Sequence, residues 1–285
     1  VTSIGKEAFW YCYGLRIVYN LSSLNIVAGR SDYGYVAYYA YKVYTDAPTG
    51  NEYSVINGVK YVANTDVENT LTAIGMTGEV TGIILESNCT QIADYAFEGC
   101  SNLTSITIPE GVTSIGKEAF RDCSNLTRVT IPSSVTSIGE WAFLRCYGLR
   151  IVYNLSSLNI VAGRSDYGYV AYYAYKVYTD APTGNEYSII NGVKYVANTD
   201  VENTLTAIGM TGEVTDIILE SNCTQIADYA FYGCRSLTSV TIPSSVTSIG
   251  GSAFEDCSSL TSITIPEGVT SIGGSAFEDC SSLTS

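Results

Sequence analysis

The side chains with the greatest capacity for chemistry in this chain are nine cysteines and 28 acidic residues, because the sequence contains no histidine. Histidine is the commonest general base and metal ligand near neutral pH. Its absence excludes the Ser-His-Asp and Cys-His nucleophile systems. The sequence also lacks a phosphate-binding P-loop and an HExxH zinc motif. We therefore predict no catalytic residue, no metal site, no cofactor and no enzymatic activity.

The cysteines follow one pattern and contain no CxxC pair. Stacked equivalent positions lie roughly 5 Å apart, but parallel side chains disfavour the torsion of a disulfide, and a straight row does not converge tetrahedrally on zinc. We expect buried, reduced thiols. Seven share the last position of an AFxxC motif and two stand where other repeats have valine: Cys12, Cys100, Cys123, Cys146, Cys234, Cys257, Cys280, and then Cys89 and Cys223.

The carboxylates recur in register, which favours a solvated edge over one catalytic pair of the kind that glycosidases use. They are Glu110, Glu118, Asp122, Glu255, Asp256, Glu267, Glu278 and Asp279. Rows of threonines form a second repeated set, and their hydroxyls offer either an array that orders ice or carbohydrate or simple stacking of exposed strands. We favour stacking for Thr104, Thr107, Thr127, Thr130, Thr238, Thr241, Thr261 and Thr264.

Tyrosine supplies the more specific hypothesis, since 24 are present and half of them lie in two dense clusters. Exposed tyrosines are favoured at protein interfaces and on surfaces that stack against sugars. The alternative is that they pack inside the fold. We predict partner contact by Tyr33, Tyr35, Tyr38, Tyr39, Tyr41 and Tyr44, and by their copies Tyr167, Tyr169, Tyr172, Tyr173, Tyr175 and Tyr178.

The elements that must position these residues come from a 23-residue repeat. LTSITIPEGVTSIGKEAFRDCSN at 103–125 is followed by a unit with the same apolar positions at 126–148. Such a period is typical of a stacked solenoid. Within a unit, Ile106 and Ile108 alternate as in a short strand, Val112 and Ile115 point inward, and the spacing of Phe120 and Cys123 predicts one helical turn.

Two longer segments interrupt the repeats, and residues 13–97 recur as 147–231 with only Val55/Ile189 and Gly82/Asp216 different. We predict a helix over 31–42 with Ser31 or Asp32 as its N-cap. Asn57-Gly58 and Asn191-Gly192 predict hairpin turns, and hence two inserted β-hairpin modules. The predicted organisation is one solenoid over 1–285, with a partial repeat (1–14), degenerate repeats plus β module (15–79 and 149–213) and regular repeats (80–148 and 214–285).

The net charge of −14 argues against nucleic acid and anionic membranes as partners, because both require cationic surfaces. No stretch is long and apolar enough to insert into a membrane. Both ends lie within a repeat, so we expect a fragment of a longer array whose signal and anchor lie outside it.

The repeat resembles the leucine-rich-repeat family in its BspA-like subclass. The pattern IPxxVTxIGxxAFxxC is present as Ile108-Pro109, Val112-Thr113, Ile115-Gly116, Ala119-Phe120 and Cys123. The resemblance implies an α/β leucine-rich-repeat solenoid, rich in β-strand, with short helical turns. It implies a non-catalytic, adhesin-like protein of a bacterial cell surface that binds an extracellular protein or glycan. The alternatives are a stalk that presents another domain and a carbohydrate-binding module.

Overall fold

The computed structural model describes residues 1–12, 14–50, 52–184, 186–212 and 214–285. These residues form two compact units, Val1–Asp180 (unit 1) and Ala181–Ser285 (unit 2). Each unit is a β-solenoid, in which successive coils of the chain stack through parallel strands. The segment boundaries predicted from the repeats stay a prediction.

Unit 1 contains thirteen strands among its described residues. They are β1 (Ile17–Tyr19), β2 (Lys42–Tyr44), β3 (Ser54–Ile56), β4 (Val59–Ala63), β5 (Leu71–Met76), β6 (Gly82–Ile84), β7 (Cys89–Ile92), β8 (Ser105–Thr107), β9 (Ser114–Ile115), β10 (Arg128–Ile131), β11 (Ser137–Ile138), β12 (Ile151–Asn154) and β13 (Lys176–Tyr178). One sheet has the order β13-β12-β10-β8-β6, a second has the order β11-β9-β7-β5-β4-β3, and β1 pairs with β2.

The core of unit 1 is built from columns of equivalent side chains. Ile106 is in register with Ile83, and Ile115 with both Ile92 and Ile138. Phe120 is fully buried, and its ring stacks on Phe97 and Phe143 at centroid distances of 5.2 and 5.0 Å. The apolar positions of the regular repeats therefore face one core, as the period predicts, while Ile4 and Phe9 of the partial repeat pack on a second cluster around Val18 and Val36.

The predicted helical turns are wrong, because the described residues contain no helix. We call the segment KEAFRDC, and the stretch at the same position in each other coil, the edge segment. In KEAFRDC, Glu118 and Asp122 have left-handed φ values of 51° and 59°. The N–H groups of Glu118, Phe120 and Asp122 donate to carbonyls of the next coil at 3.0, 2.7 and 2.9 Å. Hydrogen bonds between coils thus replace those within a helix.

The predicted helix over 31–42 is also wrong. Tyr33, Gly34 and Tyr35 have consecutive φ values of 53°, 67° and 66°, which a right-handed helix does not permit. The carbonyl of Gly34 accepts the N–H of Phe9 at 2.7 Å. Residues in this stretch therefore form the edge segment of one more coil.

The two inserted hairpin modules are not separate modules. Asn57 and Gly58 have φ values of 50° and 81° at the turn, and β3 pairs antiparallel with β4. However, β4 pairs with β5, and β5 pairs parallel with β7. These strands therefore extend the sheet of the regular coils, because an open sheet edge supplies the hydrogen-bonding groups that a further strand requires.

Unit 2 repeats these features. Its strands are β14 (Ser188–Ile190), β15 (Val193–Ala197), β16 (Leu205–Met210), β17 (Asp216–Ile218), β18 (Cys223–Ile226), β19 (Ser239–Thr241), β20 (Ser248–Ile249) and β21 (Ser271–Ile272). They form sheets of order β14-β15-β16-β18-β20-β21 and β17-β19. The antiparallel β14–β15 pair again extends the sheet of the regular coils.

Threonine hydroxyls on the exposed faces form hydrogen bonds between neighbouring coils. Thr127 donates to the carbonyl of Thr104 at 3.3 Å and Thr136 to that of Thr113 at 3.2 Å, each 23 residues earlier. In unit 2, Thr238 donates to Thr215 at 3.0 Å. These bonds support the stacking interpretation of the threonine rows. Throughout the described residues, no helix has the length and apolarity that crossing a membrane requires.

Substituting Gly168 by alanine is expected to destabilise unit 1 by about 2–3 kcal/mol more than the matched change at Gly163. Both glycines have left-handed φ values, 66° and 76°, so both variants carry backbone strain. A Cβ at residue 168 would lie 2.3 Å from the carbonyl oxygen of Gly139, whereas a Cβ at residue 163 meets nothing within 4 Å. Urea unfolding followed by circular dichroism measures the difference, and equal losses would contradict the close-approach argument.

Candidate functional site

The structure divides each predicted tyrosine cluster between two surfaces. Both clusters lie in unit 1. In the first cluster, Tyr33, Tyr35 and Tyr38 are half-buried on the edge segment, Tyr39 is buried and Tyr41 is 38% exposed. Of the copies, Tyr173 is buried and the other five are half-buried: Tyr167, Tyr169, Tyr172, Tyr175 and Tyr178. Packing thus takes up part of most rings, and whether these residues contact a partner stays a prediction.

Tyr44 and Tyr178 lie apart from the other cluster members, on strands β2 and β13. The Tyr44 ring stacks on Tyr19 at 5.6 Å, and the ammonium of Lys42 lies 4.9 Å from the Tyr44 ring centre. Tyr178 stacks on Tyr153 at 5.5 Å in the same way. Cation–π contacts of this exposed type contribute about 0.5–1 kcal/mol. These pairs link neighbouring strands, since β1 pairs with β2 and β12 pairs with β13.

Four tyrosines and one tryptophan of unit 1 form what we call the aromatic surface: Trp10, Tyr35, Tyr38, Tyr39 and Tyr95. The Trp10 and Tyr35 rings lie 4.1 Å apart, Tyr35 and Tyr38 5.3 Å, and Tyr39 and Tyr95 5.3 Å, with mostly edge-to-face geometry. Such pairs are preferred electrostatically over face-to-face packing. Burial, together with a hydrogen bond to Tyr38, raises the pKa of Tyr95 well above the ordinary tyrosine range. The aromatic surface is therefore held in one arrangement.

Trp10 and Tyr95 were missed by sequence reasoning as parts of this surface. Tyr95 stands in QIADYAF, at the position that Glu118 occupies in the regular unit, and it shares that residue's left-handed backbone with a φ of 59°. The replacement of a charged residue by an aromatic one at an edge-segment position was the available signal. Trp10 occupies a similar segment and is 39% exposed.

A cleft of about 340 Å³ borders the aromatic surface within unit 1. Its lining includes Tyr38 and Tyr41 from the tyrosine-rich coil and Gln91, Asp94 and Ser114 from the following coils. Gln91 on β7 pairs in register with Ser114 on β9, which places the two side chains side by side. The Oδ1 atom of Asp94 accepts the N–H of Lys117 at 2.7 Å, which fixes the carboxylate against the next coil. The cleft thus combines aromatic, amide, carboxylate and hydroxyl groups.

A buried charge cluster in unit 1 corrects the expectation that all edge-segment carboxylates are solvated. The side chains of Glu98 and Glu118 are only 1% and 3% exposed. Arg121 binds the Glu118 carboxylate directly, whereas its Nη1 atom lies 4.0 Å from Glu98 Oε1. Burial, reinforced by the charge of Glu118, raises the pKa of Glu98 to about 8. Because both carboxylates are shielded from solvent, we assign this cluster to the packing of the fold and not to the candidate site.

The thiols and carboxylates form no reactive constellation in the described part of the chain. Six of the nine cysteines are buried, and Cys12, Cys100 and Cys234 are half-buried. The thiol of Cys123 donates to the carbonyl of Phe97 at 3.2 Å, and that of Cys146 to Phe120 at 3.0 Å. Burial raises the pKa of Cys100 to about 12, which keeps its nucleophilic thiolate form scarce. Among the described residues no group of three acidic or cysteine side chains is placed to hold a metal ion.

Comparison with known proteins gives one family. A model described as "BspA type Leucine rich repeat region" matches residues 68–165 and 203–285 in six copies, which together make up more than half of the chain. No protein of curated function matches the sequence.

Several solved structures are similar to this chain. A leucine rich cell surface protein from Faecalibacterium prausnitzii A2-165 is 20% identical over 84% of this chain and 94% of that chain, with a TM-score of 0.32. A leucine-rich repeat protein from Eubacterium ventriosum is 25% identical over 81% of this chain and 70% of its own, with a TM-score of 0.41. A leucine rich repeat protein from T. pallidum is 20% identical over 84% and 91%, with a TM-score of 0.31.

Proposed function

Because this chain belongs to the BspA-type leucine-rich-repeat family, we propose that it is a non-catalytic, adhesin-like binding protein of a bacterial cell surface. The family suggests a protein-binding role and a surface or extracellular location. Adhesion to an extracellular protein or to another cell is the specific form proposed here. Fold-level likeness alone does not determine function, so the proposal rests on the aromatic surface of unit 1.

The observation that carries the proposal is the aromatic surface of unit 1 together with the exposed ring of Tyr41. Trp10 and Tyr41 are 39% and 38% exposed, while their neighbours are packed edge to face. Tyrosine and tryptophan are enriched among the hot-spot residues that contribute most of the binding energy of protein interfaces, because they bury a large area and lose little conformational entropy. Rings already fixed by their neighbours lose even less on binding.

The surface charge supports the same kind of partner. The chain carries a net charge of −14, with only 14 basic residues. A partner with an uncharged or basic surface is therefore favoured over nucleic acid or an anionic membrane. Because the tyrosine clusters occur twice in the sequence, a multivalent partner would gain avidity if both copies bind.

The proposal is tested by binding of the chain to epithelial cells and to immobilised extracellular-matrix proteins. Point variants are the right tool, because deletion of residues 31–79 would remove strands that belong to the sheet of the coils. Substituting Tyr41 and its copy Tyr175 by serine together is expected to weaken adhesion at least tenfold. The control is the double change of Tyr53 and its copy Tyr187 to serine, since Tyr53 is 43% exposed and lies outside the aromatic surface. Full adhesion by the Tyr41/Tyr175 variant would contradict the assigned surface, and no adhesion by the intact chain would favour a stalk.

A further inference from the structure

We propose that the cleft of unit 1 binds a neutral pyranose residue of a glycan, held between the rings of Tyr38 and Tyr41 and the polar groups of Gln91 and Asp94. The inference rests on the proposed function, because it names a ligand class for one part of the same binding surface. It concerns the small cleft alone and not the wider aromatic surface.

The aromatic residues that line the cleft suit the apolar face of a sugar. A pyranose ring presents C–H groups on one face, and these pack against the negative face of an aromatic ring. Tyr38 is held by edge-to-face contacts with Tyr35 at 5.3 Å and Tyr39 at 4.9 Å, and by its hydrogen bond to Tyr95. A ring fixed in this way is preorganised, so binding costs little ordering entropy.

The polar residues that line the cleft suit hydroxyl groups. Gln91 supplies both an amide donor and an amide acceptor, Asp94 supplies a carboxylate acceptor, and Ser114 supplies a hydroxyl that acts either way. All three line the cleft, and Gln91 and Asp94 are exposed to solvent. The Asp94 carboxylate is oriented by the Lys117 N–H through one of its two oxygens. Convergent groups of this kind match adjacent sugar hydroxyls, which both donate and accept.

Size and charge narrow the ligand class. A volume of about 340 Å³ lies at the lower end of the range for small-molecule sites, which is roughly 300–1,000 Å³. One sugar residue therefore fits better than a long oligosaccharide. The described residues that line the cleft include the Asp94 carboxylate and no lysine or arginine. An anionic sugar would meet a like charge with no compensating cation.

A peptide side chain is the competing occupant, because aromatic clefts also accept proline and tyrosine. The polar groups of Gln91, Asp94 and Ser114 argue against it, since an apolar side chain would displace water from them and offer no hydrogen bond in return. A peptide probe makes this occupant a distinct outcome of the binding test.

The test is a titration of the full chain that is monitored by saturation-transfer NMR. The neutral probes are methyl β-D-glucopyranoside, methyl β-D-galactopyranoside and methyl α-D-mannopyranoside. N-acetylneuraminic acid serves as the anionic probe and the tripeptide Gly-Pro-Tyr as the peptide probe. We expect at least one neutral glycoside to bind with a Kd on the order of 1 mM and the anionic sugar to bind at least tenfold more weakly. Because Gln225 and Tyr175 repeat Gln91 and Tyr41 in the sequence, each substitution is made in both copies.

The changes Gln91→Ala with Gln225→Ala, and Tyr41→Ala with Tyr175→Ala, are each expected to weaken glycoside binding at least tenfold with an unchanged Tm. The control pair Tyr53→Ala with Tyr187→Ala is expected to bind as the parent does. The inference is overturned if none of the three glycosides binds, if the variants bind them normally, or if only the tripeptide binds. Adhesion that persists without glycoside binding would remove this inference and leave the proposed function standing, whereas glycoside binding by a chain that does not adhere would do the reverse.

Discussion

Replacing Phe254 by alanine is expected to lower the free energy of unfolding of unit 2 by about 3–5 kcal/mol. The ring is fully buried and stacks on Phe231 at 5.1 Å and on Phe277 at 5.3 Å. Its removal would leave a cavity between two rings that themselves belong to rigid coils, so neighbouring atoms have little freedom to fill it. The backbone carbonyl of Phe254 also accepts the thiol of Cys280 at 3.1 Å, which holds the coils at a fixed spacing.

The matched control is Phe277→Ala in the same column. Phe277 is half-buried and stacks on Phe254, so its loss is expected to cost about half as much or less. Urea unfolding of both variants, with hydrogen exchange of the unit 2 amides to locate the transition, provides the comparison. Equal costs for the two variants would show that the column does not act as a stack in which interior position matters.

Replacing Glu98 by glutamine is expected to stabilise unit 1 at alkaline pH and to remove a pH dependence of its unfolding. Both carboxylate oxygens of Glu98 are buried without a hydrogen-bond partner among the described residues. The nearest cation, Arg121, is committed to Glu118. Burial first, and the charge of Glu118 second, raise the pKa of Glu98 from an ordinary 4.5 to about 8, while Arg121 and Arg16 oppose the rise. The folded state therefore prefers the neutral acid.

The sign of the effect follows from proton binding. Between about pH 4.5 and 8 the folded chain keeps the Glu98 proton that the unfolded chain has released, so this residue makes stability fall as the pH rises. The contribution is fully present below the unfolded pKa and is lost as the pH passes about 8. A shift of this size corresponds to at most about 5 kcal/mol. Glutamine resembles the neutral acid at every pH, and we expect the variant to gain on the order of 2 kcal/mol over the parent at pH 9.

Unfolding curves from pH 5 to pH 9 measure this prediction. Glu255→Gln is the matched control, because Glu255 occupies the same repeat position and is half-exposed. That variant is expected to keep the pH dependence of the parent. A Glu98→Gln protein that follows the parent at every pH would show that the buried carboxyl does not titrate in this range.

The core of the fold was predictable from the sequence because it repeats. Phe120 and Cys123 recur at the same positions in each regular unit, and Val112 recurs in all of them except the two that carry Cys89 or Cys223 there. All three residues are fully buried. A residue type kept at one spacing identifies the inward face without any knowledge of the backbone, since equivalent side chains must stack on one another.

The backbone of the edge segment was not predictable in the same way. An i, i+3 pair such as Phe120 and Cys123 suits a helical turn and also the observed path through left-handed residues. The choice depends on hydrogen bonds to the next coil, which are not local in sequence. The helix predicted at 31–42 failed for the same reason, because the Gly34 carbonyl accepts the N–H of Phe9 and the Tyr41 N–H donates to the carbonyl of Arg16, both in the neighbouring coil.

The candidate site was only partly predictable. Tyr38 and Tyr41 were named from the density of tyrosines, but Tyr44 belongs to another surface. Gln91 and Asp94 were missed, because each is an ordinary polar residue at an exposed repeat position. They become a candidate site only where the tyrosine-rich coil brings aromatic rings beside them, and that juxtaposition is a tertiary property.

The hydrogen bonds that link residues 23 positions apart also limit how this chain can change in length. Adding or removing one entire coil leaves every donor opposite an acceptor, as for Thr136 and Thr113. A change of one residue within a strand would turn its inward side chains outward. Recombination between the near-identical stretches 13–97 and 147–231 exchanges whole coils by construction. The number of coils can therefore change by recombination without any new arrangement of the packed side chains.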